Sequence, residues 1–217
     1  MFKAQRARKA QEAYAAAHAE WEVAIEALSE LLELARSGKG VPAPAGLVFH
    51  DGEHLLLEVA GSSLVEDRRG AGRWQGGSQG ISFPISSMGG KSVRYRVGRT
   101  RGHYVQGEPV ATAIDTGGLY VTNERAFFRG SRQSRVCPWS KLLSVQTDAD
   151  GAVTLASSNR QKVTVVHTGR DVAWTVDSRI RLGIAEWQGK VTEFVEAMQT
   201  ELETVRAVEP GTGPAAP

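Results

Sequence analysis

Apolar positions along the chain fall into three regimes, and each predicts a different kind of element. Between Lys3 and Arg36 there is neither Gly nor Pro, and Ala7, Ala10, Tyr14, Ala17, Trp21, Ala24, Leu28, Leu31 and Ala35 recur at alternating steps of 3 and 4. That spacing is the seam of a coiled coil or of a helix lying on a partner. Ala, Glu, Leu and Arg dominate the stretch, and these residues lose least on entering a helix. One long helix over 1–37 is therefore expected. The seam starts small and ends large, so a free-standing dimer would depend on Tyr14, Trp21, Leu28 and Leu31. Packing on a second helix of the same chain and self-association both fit the pattern.

Ser37 to Gly46, SGKGVPAPAG, breaks the helical period with Gly and Pro and reads as a linker over 38–46. Few contacts should cross such a segment, so removing Met1 to Gly40 is expected to leave the rest folded. From Leu47 the period becomes 2, with Gly, Asn and Asp as punctuation, the signature of an all-β unit. Strands are predicted at Leu55 to Glu66, Gly80 to Ile85, Ser92 to Val97, Pro109 to Asp115, Gly118 to Thr122, Ala126 to Gly130, Leu142 to Asp148, Ala152 to Ser157 and Lys162 to His167. Asp150-Gly151 predicts a type I′ hairpin. The Gly-rich run from Arg68 to Gly90 predicts a mobile loop around one short strand.

After His167 the helical period returns. Ile180, Ile184, Trp187, Val191, Phe194, Met198, Leu202 and Val205 form one apolar face, predicting a helix from Asp177 to Arg206 whose first half Gly183 and Gly189 weaken. The β unit with this helix spans 47–206, and a disordered tail is expected over 207–217. No apolar run approaches the ~20 residues of a membrane span, and the basic N-terminus lacks the apolar segment of a secretory signal. A cytoplasmic protein, with a peripheral membrane role open to it, is expected.

The stretch Ile114 to Trp139, IDTGGLYVTNERAFFRGSRQSRVCPW, is where turn chemistry, strand alternation and basic residues coincide. Asp115, Thr116, Gly117, Leu119, Val121, Thr122, Asn123, Arg125, Phe128 and Gly130 in it resemble the D-T-G-x-L-x-[IV]-T-[ND]-x-R-x-x-F-x-G pattern of GRAM-like and bacterial PH-like domains. Trp139 to Val145 is similar to the connection and strand that follow in that family. The resemblance implies an α+β fold: a PH/GRAM-like bent antiparallel sheet or barrel, capped at one end by the C-terminal helix bearing Trp187 and Phe194 and here preceded by the long helix. Such folds host lipid, peptide and purely structural roles, so the fold does not fix the function.

Charge enters through local clusters, because the net charge of +2 is too mild to specify a partner. In Lys91 to His103, Arg94 and Arg96 fall on one face of a strand and Tyr95 on the other, with Arg99 and Arg101 following. Arg125, Arg129, Arg132 and Arg135 make a second group beside Gly130. Arginines hold phosphate oxygens well, and the resemblance extends this to an anionic lipid headgroup. A solvated outer face is the simpler reading of the first group, and a loop-bracing role is the simpler reading of Arg125. The basic strip has no interleaved exposed aromatics, which argues against nucleic acid.

No catalytic constellation is legible. The five His are scattered, Glu66-Asp67 is followed by Arg68-Arg69, and the serines lack a nucleophile elbow. No metal or cofactor is expected. The only cysteine, Cys137, has apolar neighbours and is expected to be buried and unreactive. The chain thus reads as a non-catalytic binding module, a peripheral membrane or protein-interaction adaptor, recognising an anionic lipid headgroup or an acidic protein through Arg94, Arg96, Arg99, Arg101, Arg125 and Arg132. The alternative is a helical scaffold that forms homo-oligomers through its N-terminal helix, with a passive β domain.

Overall fold

A computed structural model describes the backbone of residues 2–69, 73–88, 91–105 and 108–210, and the side chains of residues 5, 6, 8–68 and 108–210. The elements follow in the order α1 (Phe2–Ser37), β1 (Leu55–Arg69), β2 (Arg73–Met88), β3 (Lys91–Val105), β4 (Pro109–Thr122), β5 (Arg125–Gly130), β6 (Ser134–Pro138), β7 (Leu142–Thr147), β8 (Ala152–Ser157), β9 (Thr164–His167), α2 (Ala173–Trp187) and α3 (Val191–Ala207). By its contacts the chain divides into two compact units, Met1–Val65 with Ala113–Pro217, and Glu66–Thr112. The expected α+β class holds.

The first unit is built on a seven-stranded antiparallel sheet in the order β6-β5-β4-β1-β9-β8-β7. Its two edge strands, β6 and β7, are consecutive in the chain and are joined only by the 3-10 turn Trp139–Lys141. Seven flat strands would hold their edges ~29 Å apart, whereas the path from Pro138 to Leu142 reaches at most ~15 Å. The sheet therefore curls strongly. Its inward positions alternate as the period of 2 demands: Leu119 pairs with Phe128 and Val121 with Ala126, and all four are buried with Leu64, Cys137, Trp139, Val153, Leu155 and Val166.

Val176 and Ile180 of α2 close this core. A second cluster joins Leu28, Leu31, Leu32 and Ala35 of α1 to Leu56, Leu182, Met198 and Leu202. The long helix therefore lies on its own chain, tied also by Trp21, whose Nε1 donates to the Val205 carbonyl at 2.8 Å. The 38–46 segment does not set α1 apart: Val41 bridges to Leu55, and deleting Met1 to Gly40 would uncover Leu56, Leu182, Met198 and Leu202 rather than leave the β unit intact.

Other expectations need correction. The C-terminal helix is two helices, because Gly189 adopts φ +69, a left-handed conformation that terminates α2 and lets the chain turn back. The cap is therefore α2, while Phe194 belongs to the second cluster and Trp187 is about half exposed. At the β7–β8 turn only Gly151 has positive φ, so the turn is not type I′. Asp148 builds it instead: its Oδ1 accepts the N–H groups of Asp150 and Ala152, and its carbonyl accepts that of Gly151.

Pro109 to Asp115 and Gly118 to Thr122 are one continuous strand, and Ser134–Pro138 is an additional strand that alternation did not reveal. The Gly-rich run, expected as a loop around the short strand Gly80 to Ile85, contributes the longer β2, which pairs with β3 with one register shift between Pro84 and Ser86. The expected tail lies outside the described residues from 211 onward.

Candidate anion-binding groove

The outer face of the first unit carries Tyr120, Phe127 and Val136 in one register row across β4, β5 and β6. Tyr120 and Phe127 stack with centroids 4.9 Å apart, and the Arg125 guanidinium lies 5.2 Å from the Phe127 centroid. The segment 46–48 runs over this face. Arg129 Nη1 donates to the Gly46 carbonyl at 2.7 Å and Arg125 Nη2 to the Val48 carbonyl at 3.2 Å. Between segment and sheet lies an open groove of about 400 Å³, lined by Leu47, Val48, Arg125, Phe127, Arg129, Arg132, Gln133 and Val136, among others.

One wall is the β5–β6 turn, and Asp115 shapes it. Its carboxylate accepts the N–H of Thr116, Arg132 and Gln133 at 2.9, 2.7 and 2.7 Å, and the Ser131 hydroxyl at 3.0 Å. The Arg132 N–H, ahead of the other donors, holds the carboxyl at about 2, below the usual range. Gly130 is required here, since a Cβ would lie 2.3 Å from Asp115 Oδ2. The turn is thus fixed by its backbone while the Arg132 side chain stays exposed, with no hydrogen-bond or ion-pair partner among the described residues.

The other wall is an internal ion network. Glu53, its side chain fully buried, accepts Arg125 Nε and Nη2 at 2.8 and 2.9 Å, the Thr122 hydroxyl at 2.8 Å and the His50 N–H at 3.0 Å. Burial pushes the Glu53 carboxyl up, and these donors outweigh it and hold it below its ordinary value. His50 Nδ1 also meets Glu124 Oε2 at 2.7 Å. His50, Glu53 and Glu124 are the only described group with metal-ligand proximity, yet the guanidinium of Arg125 occupies both Glu53 oxygens. A cation placed there would face that guanidinium, so the trio reads as a closed ion network.

The sequence-predicted arginines therefore separate. Arg125 lines the groove with its charge matched by Glu53 and its Nη2 bonded to the Val48 carbonyl, so it ties 48–53 to the β4–β5 turn. Arg132 and Arg129 line it with no carboxylate partner among the described residues. Arg135 sits alongside, donating to Gln133 Oε1 and the Ser134 carbonyl. Arg94, Arg96, Arg99 and Arg101 lie on β3, opposite Pro84, Ser82, Gln79 and Gly77, and their side chains lie outside the described residues. Glu53 was not picked out from sequence, because nothing local links it to Thr122 and Arg125.

Cys137 is buried, opposite Ala126, and burial pushes its thiol up against the opposing Ser157 and Arg160. No described helix is long and apolar enough to cross a membrane. No protein-family model, curated protein or solved structure matches the chain.

Proposed function

We propose that the protein is a non-catalytic binding module of PH/GRAM-like type that docks on an anionic membrane surface through the groove at the β5–β6 turn. The observation that carries this reading is the pairing of Arg129 and Arg132, both exposed and without a carboxylate partner among the described residues, with the exposed apolar Val48 and Val136 on the same groove. Guanidinium groups hold phosphate oxygens in fixed geometry, and apolar side chains beside them add contact with the acyl boundary. The turn is held through its main chain, so binding requires no rearrangement of the fold.

Two features support the PH/GRAM-like part. With β2 and β3 set aside as an insertion, the remaining strands form two antiparallel meanders, β1-β4-β5-β6 and β7-β8-β9, joined where the first strand pairs with the last. A helix following that last strand closes the core. Asp115, Thr122, Arg125 and Gly130, which carry the sequence resemblance, are also the residues that brace the groove. Electrostatic docking of this kind weakens with salt. Co-sedimentation of the full chain with vesicles containing phosphatidylserine is expected, with little on pure phosphatidylcholine and progressive release as salt rises. Equal binding to both vesicles, or none to either, would remove the membrane reading.

A further inference from the structure

The two ends of α1 have different surroundings. The helix has 36 residues and α3 has 17, lengths of ~54 and ~25 Å. The end of α3 lies beside Trp21, through the Trp21–Val205 hydrogen bond, and His18 Nε2 is 3.9 Å from Glu209. Leu28, Leu31, Leu32 and Ala35 are buried. Beyond His18 the same seam continues through Tyr14 and Ala10 toward Ala7, but every described residue from Gln5 to Ala17 except Tyr14 is exposed. A helix of about 15 residues is marginal in water without a packing partner.

We propose that this projecting half of α1 pairs antiparallel with the same segment of a second copy of the chain. Charge complementarity selects both partner and direction. Arg6 and Glu20 are exposed, and each immediately precedes a seam residue, Ala7 and Trp21, with two seam repeats between them. In an antiparallel pair the flanking positions of this type face each other. With Ala7 layered on Ala17 and Ala10 on Tyr14, Arg6 of one copy meets Glu20 of the other, and the two-fold axis makes the contact twice. A parallel pair would set Arg6 against Gln11 and gain no ion pair. Arg8, by contrast, is already engaged along its own helix, 3.0 Å from Glu12. The small seam residues allow close approach and bury little area, so the dimer is weak, salt-sensitive and dependent on Tyr14.

Sedimentation of the full 23.4 kDa chain should show a concentration-dependent dimer. Arg6→Glu and Glu20→Arg should each weaken it roughly tenfold, because both contacts become repulsive. An equimolar mixture of the two variants should restore association, since every contact in the mixed dimer is again between opposite charges. Circular dichroism of each variant, with these sites exposed, should match the parent. A double variant Arg6→Cys with Glu20→Cys should be cross-linked across the interface by a short-spacer bis-maleimide, which bridges flanking positions that a direct disulfide does not reach, without competition from the buried Cys137. A parent that stays monomeric, variants that dimerise as well as the parent, or a mixture that shows no recovery would overturn the proposal. So would loss of vesicle binding in Arg6→Glu with no change in sedimentation, which would give this helix face to a membrane instead.

Discussion

Arg125 and Arg132 lie at opposite ends of the same β5–β6 arm and line the same groove, yet the fold treats them differently. Arg125 is consumed internally: it is half-buried, chelated by a buried carboxylate, laid over Phe127 and bonded to the Val48 carbonyl. Arg132 is held only through its main chain, which Asp115 fixes, and its guanidinium faces solvent. An arginine cluster in a sequence can thus contain a structural member and a binding member, and the difference lies in whether a carboxylate from a distant segment reaches it.

The largest effect should come from breaking the internal partner. Arg125→Ala leaves the Glu53 carboxylate buried and unpaired, so stability should fall by ~3 to 5 kcal/mol in denaturant titrations. Removing both charges, with Arg125→Met and Glu53→Leu together, should cost less than the single change. A loss below ~0.5 kcal/mol for Arg125→Ala would mean that the pair contributes little and that Arg125 belongs with Arg132.

A smaller, pH-dependent effect should come from Asp115. Its folded-state pKa of about 2 lies below the ordinary ~3.9 of the unfolded chain, so its stabilisation is present above ~4 and is lost as pH falls through about 2. Glu53, also lowered, acts in the same direction. The urea midpoint should therefore drop between pH 4 and 2, and Asp115→Asn should reduce that drop without abolishing it. An unchanged pH profile in the variant would show that the turn is fixed by other means.

How far the fold was legible follows from where its information sits. Periodicity located α1, placed β8 at its observed bounds, and identified Leu119, Val121 and Phe128 as strand residues, because those signals are local. It missed β6, whose Ser134–Pro138 alternation carries only Val136 and Cys137 as apolar members, on opposite faces. It confined β2 to the short strand Gly80 to Ile85 within a loop, since cross-strand pairing with β3 supplies what the Gly-rich flanks lack in propensity. It joined α2 to α3 because the apolar spacing continues across Gly189.

The site was half legible. The cluster Arg125 to Arg135 stood out by composition, but the division within it depends on Glu53, which β1 and its preceding turn bring in from far away in the chain. The expectation that α1 stands apart missed its packing for a related reason: Gly and Pro composition over 38–46 reports local backbone character, while α1 is held by the apolar stripe it shares with α3 and Leu56.

The smallest structural effect and the most direct test belong to Arg132. Arg132→Ala should leave stability within ~0.5 kcal/mol, since the side chain is exposed and the turn is held by main-chain donors. The decisive measurement is co-sedimentation of Arg132→Ala beside the parent on phosphatidylserine vesicles across a salt series. The account predicts that the variant binds several-fold more weakly at low salt and shows a flatter salt dependence, with one fewer charge contact to screen. Vesicle binding by the folded variant equal to that of the parent at every salt concentration would contradict it.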